Sequence, residues 1–310
     1  MRKITLLLLI SFMSLNFFSI SNADLYKRGE KFENEIKFSK RFTLPLSPGT
    51  WEVVSQYDYH RYFHWKGYGL VRVENNEIME LIVVHKANLS GEKMGMLDHV
   101  VGEITFKDQH DGCYERPEYY LVEVFKKGSA HNCLVVGHRD LKSEIYIPDD
   151  ITVSNAELIK WIKDNSIKIP HISFSSFHSY YSRLNKGDWY NITYLTNPKL
   201  VNSPEPKFLS EESSEFHKAN ISQYPEHKLA MERFVSISAK RHQELEKAFK
   251  AKEHHLLDLN KYILDNDIED SSNKDVKNNI LESLEKLNEL YKSGFITKEE
   301  FKKAKDKILN

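Results

Sequence analysis

Between residue 41 and about residue 200, apolar and polar positions alternate in short runs of β-branched and aromatic residues, each closed by turn chemistry. Trp51–Tyr57 follows Ser47-Pro48-Gly49, and Leu70–Val73 is joined to Ile78–His85 through Glu74-Asn75-Asn76-Glu77. Asparagine tolerates positive φ, so this Asn-Asn pair predicts a tight hairpin. Val100–Phe106 and Trp189–Leu195 extend the pattern, while Tyr119–Phe125, Lys126-Lys127-Gly128-Ser129 and Leu134–Val136 read as strand, glycine turn and strand. One segment breaks the period of two. Ser154 is placed to cap a helix over 155–164, Glu157 stands three residues on as in a capping box, and Leu158, Ile159 and Ile162 form one apolar side. The unit expected over residues 24–200 is therefore α+β, a mostly antiparallel β-rich domain with one or two helices laid on it.

After Asn197-Pro198 the pattern changes. Ser203-Pro204-Glu205-Pro206 and Ser210-Glu211-Glu212-Ser213-Ser214 make residues 199–223 polar and rich in helix breakers, which predicts a linker. From Glu226 to Leu264 there is neither Gly nor Pro, and a long helix is expected within a segment spanning 201–270. Phe234, Leu245 and Leu256, with Ile237, Ala248 and Leu259 three residues on from each, form two rows repeating every 11 residues. That period of about 3.67 keeps one stripe nearly straight. Packing of this stripe on the chain's own sheet is favoured over a self-associating coiled coil.

A second polar break, Asp265 to Asn273, precedes a last segment over 271–310. Ile280, Leu284, Leu287 and Tyr291 fall at helical spacing, and Lys292-Ser293-Gly294 supplies a cation and a glycine where a helix would end. Thr297 is placed to cap a new helix, with Glu300 at the reciprocal position and Ile296 set to staple onto Phe301. Phe301, Ala304 and Ile308 form its inner side, so a C-terminal two-helix hairpin is expected. The stretch Leu284-x-x-Leu287-x-x-Leu290-Tyr291-x-x-Gly294-x-Ile296-Thr297-x-Glu299-Glu300-Phe301 closely resembles the SHOCT family of short C-terminal helical modules. The resemblance implies association or localisation, not chemistry, and brings no catalytic residue with it. So short a hairpin has too little interior to stand alone. Its apolar residues Leu284, Leu287, Tyr291, Ile296, Phe301 and Ile308 are therefore the candidate association surface, toward the chain's own helix, a second copy or an envelope partner.

Composition adds exclusions. Glycine is scarce at 12 of 310 residues, and no GxGxxG, GxxxxGK[ST], GxSxG, HExxH or CxxC occurs. The 44 Lys and Arg are interleaved with 45 Asp and Glu, leaving a formal charge of −1 and no field suited to nucleic acid. Residues 1–23 have a cationic start, an apolar run from Ile4 to Ile20 and Ser21-Asn22-Ala23 before Asp24, the pattern of a secretory signal peptide cut after Ala23. A periplasmic or secreted location follows, with membrane attachment only if the leader stays uncleaved. Export makes a structural disulfide between Cys113 and Cys133 the expected state.

The remaining candidates are weak. His60-x-x-x-His64 has an even spacing that, on one strand, would hold the rings about 13 Å apart, too far for one metal ion. His254-His255 points two ways around a helix. Gly137-His138-Arg139-Asp140 could edge a site but reads more readily as a solvated turn, and His110-Asp111-Gly112-Cys113 gives no defined geometry. The aromatics Trp51, Tyr57, Tyr59, Tyr62, Phe63, Trp65 and Tyr68 read as core before they read as a ligand surface. No catalytic residue, metal ligand or cofactor is assigned. The expectation is an exported bacterial envelope protein acting as a non-catalytic binding or assembly component, the alternative being a hydrolase-like envelope enzyme with its site in the β-rich domain.

Overall fold

The computed structural model describes residues 25–60, 64–88, 112–127, 130–141, 152–182 and 188–264, with Thr297, Phe301 and Lys303 beyond them. Ten strands run β1 (Lys31–Phe32), β2 (Glu35–Lys37), β3 (Thr43–Pro45), β4 (Trp51–His60), β5 (His64–Glu74), β6 (Glu77–Asn88), β7 (Leu121–Lys127), β8 (Ala130–Asp140), β9 (Ile172–Ser182) and β10 (Asp188–Thr196). Two α-helices, α1 (Thr152–Asp164) and α2 (Pro225–Ala248), complete the described elements beside short 3₁₀ turns. Eight strands form one antiparallel sheet in the order β1-β4-β5-β6-β10-β9-β8-β7, and β2 pairs with β3 alone. The chain builds one meander through β6, restarts at the far edge with β7, and works back until β10 closes against β6. The described part is thus β-rich and antiparallel with two helices, as the alternating pattern predicts.

The Asn-Asn turn forms as expected, with Asn75 and Asn76 at φ 50 and 62, both in the left-handed region that a two-residue hairpin of this twist requires. Pleating then sorts side chains by parity. In β8, β9, β10 and β6 from Glu80 onward the even-numbered residues face α2 and the odd-numbered ones face away from it; before the β5–β6 register shift, Ile78 packs on the α1 side. On the α2 side Trp51, Tyr68, Ile82, Tyr190, Leu245 and Phe249 share one core. On the other side Leu81 and Leu195 pack with Leu158 and Ile162 of α1.

Three expectations are corrected. The helix expected from 226 to 264 stops at Ala248, where Phe249 turns into the core against Phe42 and Tyr180 at ring separations of 4.6 and 4.8 Å. Lys250 takes a left-handed φ of 55, and Glu246 accepts a hydrogen bond from the Leu257 amide at 2.9 Å, so the chain doubles back on the helix it leaves. The 11-residue rows therefore do not hold: Ile237 and Leu256 are 40% and 43% exposed, while Leu259, beyond the end of the helix, is buried. The helix itself packs on the chain's own sheet, as favoured above. Helix α1 starts at Thr152, ahead of the expected Ser154 cap, and Glu157 turns to the sheet, accepting from the Gln56 amide at 3.1 Å and pairing with Arg28 at 3.3 Å.

Val100–Phe106, the leader over 1–23, and Leu284, Leu287, Tyr291, Ile296 and Ile308 lie outside the described residues. Near the C-terminus the Phe301 amide donates to the Thr297 carbonyl at 2.9 Å, one helical turn where the cap at Thr297 is expected.

Candidate ligand cavity

The site begins with a disulfide. Cys113 lies in the loop before β7, Cys133 on the odd-numbered side of β8, and the two are bridged with Cα atoms 6.2 Å apart, inside the ordinary range. The bridge ties the leading loop to the β7–β8 hairpin. Closing a loop of that size contributes about 3 kcal/mol on the chain-entropy view. Gly112 approaches Phe177 so closely that a Cβ there would meet the ring at 3.3 Å, and its φ of 80 suits glycine. Gly137 lies under the same loop, where a Cβ would make ordinary contact with the Glu118 carbonyl and the Tyr119 ring at 3.4 and 3.5 Å.

That loop carries Arg116 and Tyr119 over the odd-numbered side of the sheet. The Arg116 guanidinium lies 4.4 Å from the Tyr114 ring centre and 5.6 Å from that of Tyr119, and it donates to the Tyr114 hydroxyl. Arg139 of β8 reaches Tyr119 from the other side, 5.7 Å from its ring centre, with Nη2 donating to the hydroxyl at 3.4 Å. Between these groups, the strands and α1 is a cavity of about 420 Å³. Its floor is Leu81, Val83, Thr193 and Leu195 from β6 and β10, continued by Ser175, Phe177 and Val135, with Leu141 and Leu158 closing one end. This volume is at the smaller end of the ~300–1,000 Å³ of small-molecule sites.

Gly137-His138-Arg139-Asp140 is therefore strand and not the solvated turn it reads as: Gly137 and Arg139 line the cavity, whereas His138 is buried on the α2 side. Burial lowers its imidazole to about 4, against the Glu211 carbonyl that holds it at 3.1 Å. His60 and His64 do not lie along one strand. They are register partners across the β4–β5 hairpin, so the spacing of about 13 Å along one strand does not apply, and His64 meets Asp58 at 3.6 Å. Of the aromatic run, Trp51, Tyr57, Trp65 and Tyr68 are buried, in keeping with a core role.

Sequence reasoning misses two clusters. His131, two residues from Cys133 on the same strand face, places Nε2 3.3 Å from Cys113 Sγ, and the donor atoms of the three residues lie within 4.8 Å of one another. With the bridge closed, both sulfurs are committed to each other. The second cluster is on the α2 side. Ser176 meets His178 at 3.0 Å, His178 meets His242 at 3.0 Å, and His242 meets Asn132 at 2.9 Å, while Asn132 donates to Glu246 at 2.7 Å. A serine beside a histidine chain looks like a nucleophile relay, but Ser176, His178, His242 and Asn132 have no exposed surface. The chain of bonds fastens α2 to the sheet.

Among the described residues no helix is long and apolar enough to cross a membrane. Residues 282–309 match the SHOCT short C-terminal domain. The SHOCT segment thus begins two residues before Leu284 and takes in every residue of the expected association surface. No curated protein matches the chain. Among solved structures, a transcriptional regulator of the GntR family from Enterococcus faecalis V583 superposes with a TM-score of 0.24 at 7% identity, over 47% of this chain and 91% of that one. So loose a likeness carries no inference about fold or function.

Proposed function

We propose that the protein is an exported bacterial envelope component that holds a small ligand in the sheet cavity and associates through its SHOCT segment, without performing a reaction of its own. The cavity carries this reading. It joins an apolar floor to a few convergent polar groups, the make-up of a binding site. The described lining offers two arginines, a tyrosine and hydroxyls, groups that orient a bound molecule. The leader-like residues 1–23 support export, and a terminal segment too short for its own core supports association.

Ligand-observed NMR with a set of small apolar acids, amines, alcohols and amides tests the cavity on chain 24–310. At least one class is expected to bind, and Thr193→Phe, which fills the floor, is expected to abolish that signal while leaving the near-UV circular dichroism spectrum unchanged. Equal responses from the two proteins would refute the cavity as a ligand site. For association, light scattering is expected to give a higher protomer number for 24–310 than for a chain ending at Asp270. Equal numbers would remove the SHOCT segment as a self-association element.

A further inference from the structure

We infer that the ligand of this cavity is a small amphipathic carboxylate, its head on the Arg116 and Arg139 guanidiniums and its apolar body on the floor of β6 and β10; this rests on the cavity being a ligand site. Among the described lining residues the charged side chains are Arg116 and Arg139, both cationic. Each guanidinium has an ion-pair partner outside the described lining. Glu118 is 3.7 Å from Arg116 Nη1 and Glu211 is 3.7 Å from Arg139 Nη1, beyond hydrogen-bond distance, and neither carboxylate lines the cavity. The Nε of Arg116 is buried and has no hydrogen-bond partner among the described residues. A nitrogen so enclosed is out of a ligand's reach, so the Nη donors of the two guanidiniums are the ones that would take the head.

The shape of the polar end selects the acceptor. Guanidinium forks match the plane of a carboxylate and bind it through paired N–H donors. Tyr119, between the two guanidiniums, adds a hydroxyl at the same head. Leu81, Val83, Leu195 and Phe177 leave the rest of the space apolar, so a free inorganic anion would bury its charge against a floor that cannot solvate it. An amine would meet two cations. The bridge from Cys113 to Cys133 fixes the loop that brings Arg116 over the strands, so the head site is preformed.

Isothermal titration calorimetry of chain 24–310 with octanoate and 4-phenylbutyrate, their neutral primary amides, and octylamine tests the inference. The acids are expected to bind at least about tenfold more tightly than the matched amides, an advantage that weakens with added salt. Arg116→Met is expected to erase the advantage while keeping the amide affinity, and Arg116→Lys to keep part of it. Arg139→Met, on the opposite side of the head, is expected to act in the same direction if Arg116→Met fails to fold. Amides or octylamine binding as tightly as the acids, or an acid preference that survives both methionine variants, would overturn the carboxylate assignment and leave the cavity as a ligand site. Binding by none of the five probes would overturn both readings.

Discussion

Replacing Glu80 by alanine is expected to lower the unfolding free energy by about 3–5 kcal/mol, the usual cost of removing one partner from a buried ionic cluster. Glu80 stands on β6, 2% exposed, between the sheet and α2. Its Oε2 accepts from Arg72 Nε and Nη2 at 3.2 and 3.0 Å and from the Ser47 hydroxyl, and its Oε1 pairs with Arg241 Nη2 at 2.9 Å. Arg241 in turn lies 3.9 Å over the Tyr194 ring. Burial alone would raise the Glu80 carboxyl, but Arg241, Ser47 and Arg72 outweigh it and hold the group below its ordinary value. Alanine leaves two poorly solvated guanidiniums facing the space it vacates. Denaturant titration of parent and variant measures the cost. A companion replacement, Arg72→Met, Glu80→Leu and Arg241→Met together, is expected to recover most of it, because a packed apolar triad needs no desolvation of charge. A loss below about 1 kcal/mol for Glu80→Ala would show that water reaches the cluster and that its charges are screened.

What the sequence disclosed and what it hid divide along one physical line: local rules can be read, long-range pairing cannot. Asn75-Asn76 declares its turn because the requirement for positive φ belongs to those two residues. Trp189–Leu195 declares a strand because β-branched and aromatic residues fill a pleated, buried surface. Strand β9 gives no such signal. Ser173, Ser175, Ser176, Ser179 and Ser182 make it look like a loop, yet nearly every residue in it is buried. Two of the serines are satisfied inside the fold: Ser179 accepts from the Trp189 indole of the next strand at 3.1 Å, and Ser176 meets His178, which is itself held by His242 of α2. The end of α2 is hidden for the same reason, since helix propensity continues past Ala248 and tertiary contacts of Phe249 and Glu246 overrule it. The cavity is hidden more completely. Arg116, Arg139, Thr193 and Leu81 come from four separate segments, and only the sheet order with the Cys113–Cys133 bridge brings them together. The bridge itself could be read, because two cysteines after a leader-like segment predict it without geometry.

Acid is expected to unfold the sheet domain well above the carboxylate range, with stability declining from about pH 6.5 downward. Four histidines set this window, His138, His178 and His242 buried and His85 half-buried. Burial lowers His85 and His138 to about 4 and His242 to about 3, and burial together with His242 and Arg241 holds His178 well below its ordinary value. A histidine whose folded pKa lies below its unfolded value favours the fold in the neutral form. Its contribution is complete above about 6.5 and is lost as the pH falls toward the folded pKa. By linkage His85, His138 and His242 each cost about 2 kcal/mol at pH 5, a sum comparable to the roughly 5–15 kcal/mol of an ordinary domain, and His178 acts in the same direction. The bonding pattern gives the structural reason. Asn132 Nδ2 donates to Glu246 and to the His255 carbonyl, so its Oδ1 is the acceptor for His242 Nε2. His242 Nδ1 must then accept from His178 Nδ1, and His178 Nε2 from the Ser176 hydroxyl. Each ring holds one proton, and a second on His242 would set two N–H groups nose to nose. The groups around the pair act both ways. Arg241 adds repulsion, whereas Glu246, whose carboxyl burial raises against its bonds from Leu257 and Asn132, gains stability as it protonates and offsets part of the loss. Glu80 adds to the decline only below its ordinary range, once its carboxylate protonates. Denaturant midpoints at pH 7.5 and 5.0 measure the effect, and His242→Gln is expected to shrink the difference between them by about 2 kcal/mol. Identical midpoints at the two pH values in the parent protein would mean that these imidazoles accept protons without opening the interface between α2 and the sheet.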